Sequence, residues 1–236
     1  MTAPAPAGPG WTDWPRRALA YQQPFRDRVA GVGLVAAAPA SVAFVTASLL
    51  VSSLWHDPRG GRRLVAACCA WRAADLPGRS PLPLLGSALL VQRPVEALWT
   101  VAAVWLVLGP LEVAVGSRWL LAVAALGHAA PTVLVDLCWL AGGRSGSELA
   151  GLDVGTSGVI VTAAAALAVA TSSLAVAAVL AAALAVDIAV AAGLATAEHL
   201  IAVAVGAAVA MAWSRRRRGT HPDPGPLDLL QRRGPG

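Results

Sequence analysis

Gly155-Thr156-Ser157-Gly158 and His199, 42 residues after the serine, are the side chains here whose types suit covalent chemistry. A serine hydroxyl is a poor nucleophile until a neighbouring base takes its proton, and histidine is the commonest such base. Gly155 and Gly158 remove bulk on either side of Ser157, so a peptide backbone or a second helix can approach it. The stretch opens an apolar run from Val159 to Ala170. Ser157 is therefore expected in a first helical turn, whose backbone N–H groups lack intrahelical partners and suit an oxyanion. Asp153 or Thr156 is the expected cap of that helix. A Ser–His pair in this setting is an acyl-transfer centre. Alone, G-x-S-G is also the pattern of a small-residue packing face.

The elements that must position the pair are membrane helices. Of 236 residues 57% are hydrophobic and only 13% charged, with a mean hydropathy of +0.65. A soluble domain carries about a quarter charged residues. Several uncharged runs approach the ~20 residues needed to cross a bilayer. All eighteen basic residues are arginine, and the chain contains neither lysine nor asparagine. The net charge of +5 lies in arginines beside apolar runs, as in membrane proteins that fix their orientation this way. With no soluble domain to carry it, nucleic-acid binding is not expected. Cys68, Cys69 and Cys138 form no C-x-x-C, so neither a disulfide framework nor a zinc site is expected, and no cofactor motif is present.

Six spans are expected, at about 31–54, 95–115, 119–140, 155–170, 174–192 and 195–213, making an all-α membrane bundle over 30–213. Residues 1–29 read as a polar cytoplasmic arm, and 214–236 as a basic tail of disordered composition. The connection 56–94 is long, with an amphipathic interfacial stretch over 63–76 and an apolar piece, 82–91, too short to span. Gly109-Pro110 is expected to break the second span. Arginine-rich ends place both termini in the cytoplasm, although Arg59, Arg62, Arg63, Arg72 and Arg79 then fall outside.

Ionisable groups inside spans are costly and mark function. Glu112, His128, Asp136, Asp187, Glu198 and His199 qualify; His128 and Asp136, eight residues apart, share a helix face. His199 has Ala202 and Gly206 on its own face. That stripe is expected to press the sixth helix against Gly155 and Gly158 of the fourth. Two crossings separate these helices, so they run parallel and Ser157 and His199 share a depth.

With these residues in hand, the chain resembles the rhomboid intramembrane serine proteases, over about residues 31–213. G-T-S-G opening the fourth span, His199 with Gly206 in the sixth, and WLVLGPLEVAVGSRWLL around Glu112 carry the likeness. SALLV, GPLE, Gly127-His128 and D-V-G-x-S look closer to a divergent bacterial branch. The resemblance implies a six-helix bundle in the cell membrane, with Ser157 as nucleophile and His199 as general base. It implies no third acidic member, no cofactor, and transmembrane proteins as substrates. Gly155, Gly158 and His128 would support the oxyanion, and Glu112 and Gly206 the framework.

The chain departs from the family where rhomboids carry H-x-x-x-N in the second span. Counting back from Gly109 puts Ala97 and Val101 there, and Trp71-Arg72 comes early for the family's Trp-Arg pair. Oxyanion stabilisation then falls to backbone N–H groups near Ser157, or to His128. Two alternatives stand beside the protease: an inactive rhomboid-like protein that binds client helices, and an unrelated transporter or structural bundle.

Overall fold

Gly33 and Pro39 decide where the first apolar run becomes helical. The computed structural model describes residues 19–69, 71, 82–91, 93–142, 155–191 and 193–220. Gly33 has φ +79°, and Ala38 leaves the helical region at φ −143°, as the residue before a proline tends to. Instead of one helix over 31–54 the chain forms α1 (Gln23–Val32), the single turn α2 (Leu34–Ala37) and α3 (Pro39–Trp55). Part of the expected polar arm is thus helical, while 1–18 lie outside the described residues.

After these come the short helices α4 (Gly61–Cys68) and α5 (Leu82–Ser87). Four long ones follow a composite α6, which joins Pro94–Ala103, Val104–Leu108 and Gly109–Val115. They are α7 (Ser117–Ala141), α8 (Ser157–Thr171), α9 (Leu174–Ala191) and α10 (Leu194–Thr220). No strand occurs among the described residues. Val95–Val115, Ser117–Ala141 and Leu194–Arg217 are long and apolar enough to cross a membrane; Pro39–Trp55, Ser157–Thr171 and Leu174–Val190 are shorter apolar helices. The last helix runs on to Thr220, into the stretch expected to be a basic tail; 221–236 lie outside the described residues.

Helix α8 stands at the centre, packed by α10, α7, α9 and α6. Small and polar residues fill its buried surface: Thr162, Ala163, Ala165 and Ala166 beside Val159 and Leu167. Large apolar side chains such as Leu98, Leu121, Val179 and Val190 point outward. That inversion suits a lipid surround, where close backbone packing rather than apolar burial joins helices. Thr162 is the wedge. A Cβ added at Gly127 of α7 would sit 2.5 Å from its side chain, and one at Gly206 of α10 would run into its carbonyl. So Gly206 meets Thr162, not Gly155 and Gly158 as the sequence reading had it. Gly158 faces Gly127 and His128 instead.

Gly109-Pro110 does not break α6. Pro110 has no N–H to give the carbonyl of Leu106, one turn earlier. The chain widens into a π turn over Val104–Leu108, with Gly109 N–H reaching the Val104 carbonyl. Tyr21 Oη and Gln22 Nε2 donate to the released Leu106 carbonyl at 3.3 and 3.2 Å. Phe25 of α1 is buried against Gly109, where a Cβ would lie 2.5 Å from its ring, and stacks edge-on with Trp105 at 5.7 Å. The proline makes a docking point for α1.

Glu112 holds the other end of α6 to α3. Its carboxylate accepts from Ala40 N (3.0 Å), Ser41 N (2.8 Å), Ser41 Oγ (2.7 Å) and Ser117 Oγ (2.6 Å). Ala40 and Ser41 lie in the first turn of α3, whose N–H groups have no partner within the helix. A carboxylate at a helix N-terminus also meets the positive end of the dipole.

Candidate active site

Ser157 is the first residue of α8 and is exposed. Gly155, at φ +135°, turns the chain into the helix in a conformation that strains any side-chain-bearing residue. Ser157 Oγ lies 3.7 Å from where a Gly155 Cβ would stand, so the glycine keeps the hydroxyl open. Thr156 is the cap position but its side chain makes no capping bond, and the first helical bond is Ile160 N to Thr156 O. The N–H groups of Ser157 and Gly158 are therefore not used by the helix. Asp153, the other expected cap, lies outside the described residues.

His199 is in the second turn of α10, half-buried, and its Nδ1 is 2.9 Å from Asp187 Oδ2 on α9. A carboxylate can only accept, so Nδ1–H donates, and in the neutral ring Nε2 then keeps its lone pair, as a general base requires. The resemblance implied no acidic partner for this histidine; Asp187 is one. The sequence did hold a signal for it. Asp187 is near the end of one helix and His199 near the start of the next, across a connection too short to part them.

The Thr162–Gly206 crossing fixes the relative depth of Ser157 and His199. Ser157 precedes the crossing by five residues and His199 by seven, on parallel helices. At about 1.5 Å per residue these offsets are roughly 7.5 and 10.5 Å, a mismatch of about 3 Å. Among the described residues no hydrogen bond joins the two side chains.

A Ser–His contact does form between two other residues, Ser87 and His128. Ser87 Oγ, fully buried at the end of α5, is 2.7 Å from His128 Nε2 on α7 and also donates to Leu84 O at 2.8 Å. The Ser87 carbonyl accepts from Gly155 N at 3.2 Å, which ties α5 to the turn preceding Ser157. On the other side of the ring, a Gly158 Cβ would stand 3.8 Å from His128 Nδ1. His128 therefore lies against the first turn of α8. Nothing local in SALLV announced Ser87, because its partner is 41 positions away.

From α6, Thr100 reaches the same turn. It is fully buried, and its hydroxyl is 2.9 Å from that of Thr156. Counting from Gly109 had pointed to Ala97 and Val101, yet Val101 is 41% exposed. The count assumed a regular helix, and the π turn at Val104–Leu108 displaces the inward face by one residue. Trp71, buried in the long connection, donates from Nε1 to Asp136 Oδ2 at 3.0 Å and anchors that connection to α7. Arg72 lies outside the described residues.

Together these contacts gather an exposed serine, unused N–H groups and a buried histidine around the start of α8, while the carboxylate-held His199 stands on α10, which packs against α8. No cluster of metal-ligating side chains occurs among the described residues. No family model, curated protein or solved structure matches the chain.

Proposed function

We propose that this chain is a six-span rhomboid-like intramembrane serine protease of the bacterial cell membrane, acting on transmembrane proteins. The observation that carries the proposal is the Asp187–His199 pair on the hairpin packed against the Ser157 helix. A carboxylate that holds an imidazole by Nδ1 is how serine hydrolases prepare their base. In the proposed reaction Ser157 Oγ attacks the carbonyl carbon of a peptide bond while His199 Nε2 takes its proton. The oxyanion meets the N–H groups of Ser157 and Gly158. His199 then returns the proton to the leaving amine, and water hydrolyses the Ser157 ester by the same route in reverse. His128, held by Ser87, and Thr100 support the turn that carries the nucleophile.

A second reading is a rhomboid-like protein that binds client helices without cutting them. The missing Ser157–His199 hydrogen bond favours it. Labelling of the detergent-solubilised protein with a fluorophosphonate separates the two. The protease reading expects labelling of the wild type that is lost in Ser157→Ala and His199→Ala. A wild type that stays unlabelled while a control hydrolase reacts, or a Ser157→Ala that still labels, would sink it.

A further inference from the structure

Far along α3 from the Glu112 cap, the α3–α4 junction encloses an open pocket of about 750 Å³ that plays no part in the proposed chemistry. Its walls include Trp55, His56, Asp57, Arg62, Arg63 and Ala66. We infer that this pocket binds a phosphate group at the membrane surface, carried by an anionic lipid.

Depth is the first reason. Trp55 ends the apolar helix α3, and a tryptophan in that position sits at headgroup level. Leu50 and Leu64, 59% and 60% exposed, stand on the two helices that meet at the pocket and suit acyl chains. Charge is the second. Arg62 and Arg63 offer paired guanidinium forks that match phosphate oxygens in a way a point charge does not. The one acidic wall is already engaged, since Asp57 accepts from Arg59 N at 3.1 Å and from Gly61 N at 3.4 Å.

Pre-organisation is the third. The Arg62 guanidinium lies 4.9 Å above the Trp55 ring, which holds its fork in place. Helix α4 is itself fixed, because Val65, Cys69 and Leu90 form a buried cluster against Val51 and Leu54 of α3. A headgroup ligand here also accounts for arginines in a connection that charge bias alone would place on the other side of the membrane.

Native mass spectrometry of the full chain in neutral detergent tests this, with phosphatidylglycerol and phosphatidylcholine offered at equal concentration and inorganic phosphate in a separate arm. The wild type is expected to retain phosphatidylglycerol preferentially. One bound phosphatidylglycerol is expected to weaken by about tenfold or more in Arg62→Gln/Arg63→Gln, for loss of charge-assisted hydrogen bonds. Both side chains are exposed, so the variant should unfold at the wild-type temperature; Arg63→Gln alone serves if it does not. Equal retention of the two lipids, or variants that keep phosphatidylglycerol as the wild type does, would overturn the inference. Retention of inorganic phosphate without lipid preference would overturn the lipid source and assign the pocket to a soluble phosphate.

Discussion

Asp187 Oδ2 and His199 Nδ1 stand 2.9 Å apart across the α9–α10 hairpin, which fixes the histidine tautomer from outside the helix that carries it. If His199 is the base, Asp187→Asn keeps the shape and loses the tautomer. The fluorophosphonate labelling rate is then expected to fall by about 10²-fold or more, as activity does on tautomer loss in serine hydrolases. Asp187→Glu should recover part of it. Both side chains are partly exposed, so the unfolding temperature should change little. Equal labelling of wild type and Asp187→Asn would leave Asp187 without a positioning role.

Glycines near the centre are not equivalent, and their substitutions should rank accordingly. At Gly206 an added methyl meets the Thr162 backbone carbonyl, which cannot move without shifting α8. Gly206→Ala should cost the upper part of the usual overpacking range of about 1–3 kcal/mol, read as a lowered unfolding midpoint in detergent. At Gly158 the nearest atoms lie 3.5 Å or more away, an ordinary contact. Gly158→Ala is expected to fold as well as the wild type. A reversal of this order would contradict the α8–α10 packing.

Glu112 is the acceptor for two backbone N–H groups and two hydroxyls, all drawn from other elements. Glu112→Ala strands these donors in a water-poor interior. Hydrogen bonds to charged acceptors are worth about 1.5–3 kcal/mol each, so a loss of about 3 kcal/mol or more is expected. Glu112→Gln keeps one acceptor oxygen and should fall between. Unfolding in mixed micelles with rising SDS fraction would measure the order, and a Glu112→Ala midpoint equal to wild type would contradict the cap.

Much of this fold was legible because apolar runs are local signals. The runs at 95–115 and 119–140 became α6 and α7, and Glu112, His128 and Asp136 within them are buried and hydrogen-bonded to other elements. What stayed hidden is non-local. Phe25 looks like part of a polar arm until Gly109 provides a slot for its ring. Thr100 looks lipid-facing until a π turn rotates it inward. Ser87 and Asp187 acquire meaning only from histidines on other helices. The resemblance implied roles for Ser157 and His199 but no carboxylate beside the histidine, where Asp187 stands.

Cys69 gives a pH-dependent check on the α3–α4 packing. Burial, together with the neighbouring Cys68 thiol, pushes its thiol up from 9.0 to about 12. It should therefore remain a thiol, and inert, at pH 8, where iodoacetamide modification of Cys69 is expected to be negligible in the folded protein and rapid after unfolding. The sign for stability follows. An unfolded-state thiol ionises at lower pH than the folded one, so the contribution is complete below about pH 9 and is lost as pH rises towards 12. Cys69→Ala should flatten that decline. Fast modification of native Cys69 at pH 8 would show that the α3–α4 packing opens.

Pro110 offers a test of how the N-terminal helix is held. Pro110→Ala restores an N–H that can bond to the Leu106 carbonyl, the same oxygen that Tyr21 and Gln22 now share. A regular turn would compete with both donors and draw α6 out of its π geometry. Each lost contact is worth about 1 kcal/mol, so docking of α1 should weaken by roughly 2 kcal/mol, a change of more than tenfold in its local opening. Arg26 and Arg28 are exposed on α1 and become tryptic sites once that helix opens. Trypsin should cut Pro110→Ala there at least about ten times faster than wild type, with the remaining helices intact. Because the π turn also sets which residue of α6 faces Thr156, the same variant should turn Thr100 away from the start of α8. Fluorophosphonate labelling at Ser157 is then expected to fall with no change to the serine or to His199. Unchanged cleavage and unchanged labelling would mean that neither α1 nor the turn before Ser157 depends on the proline.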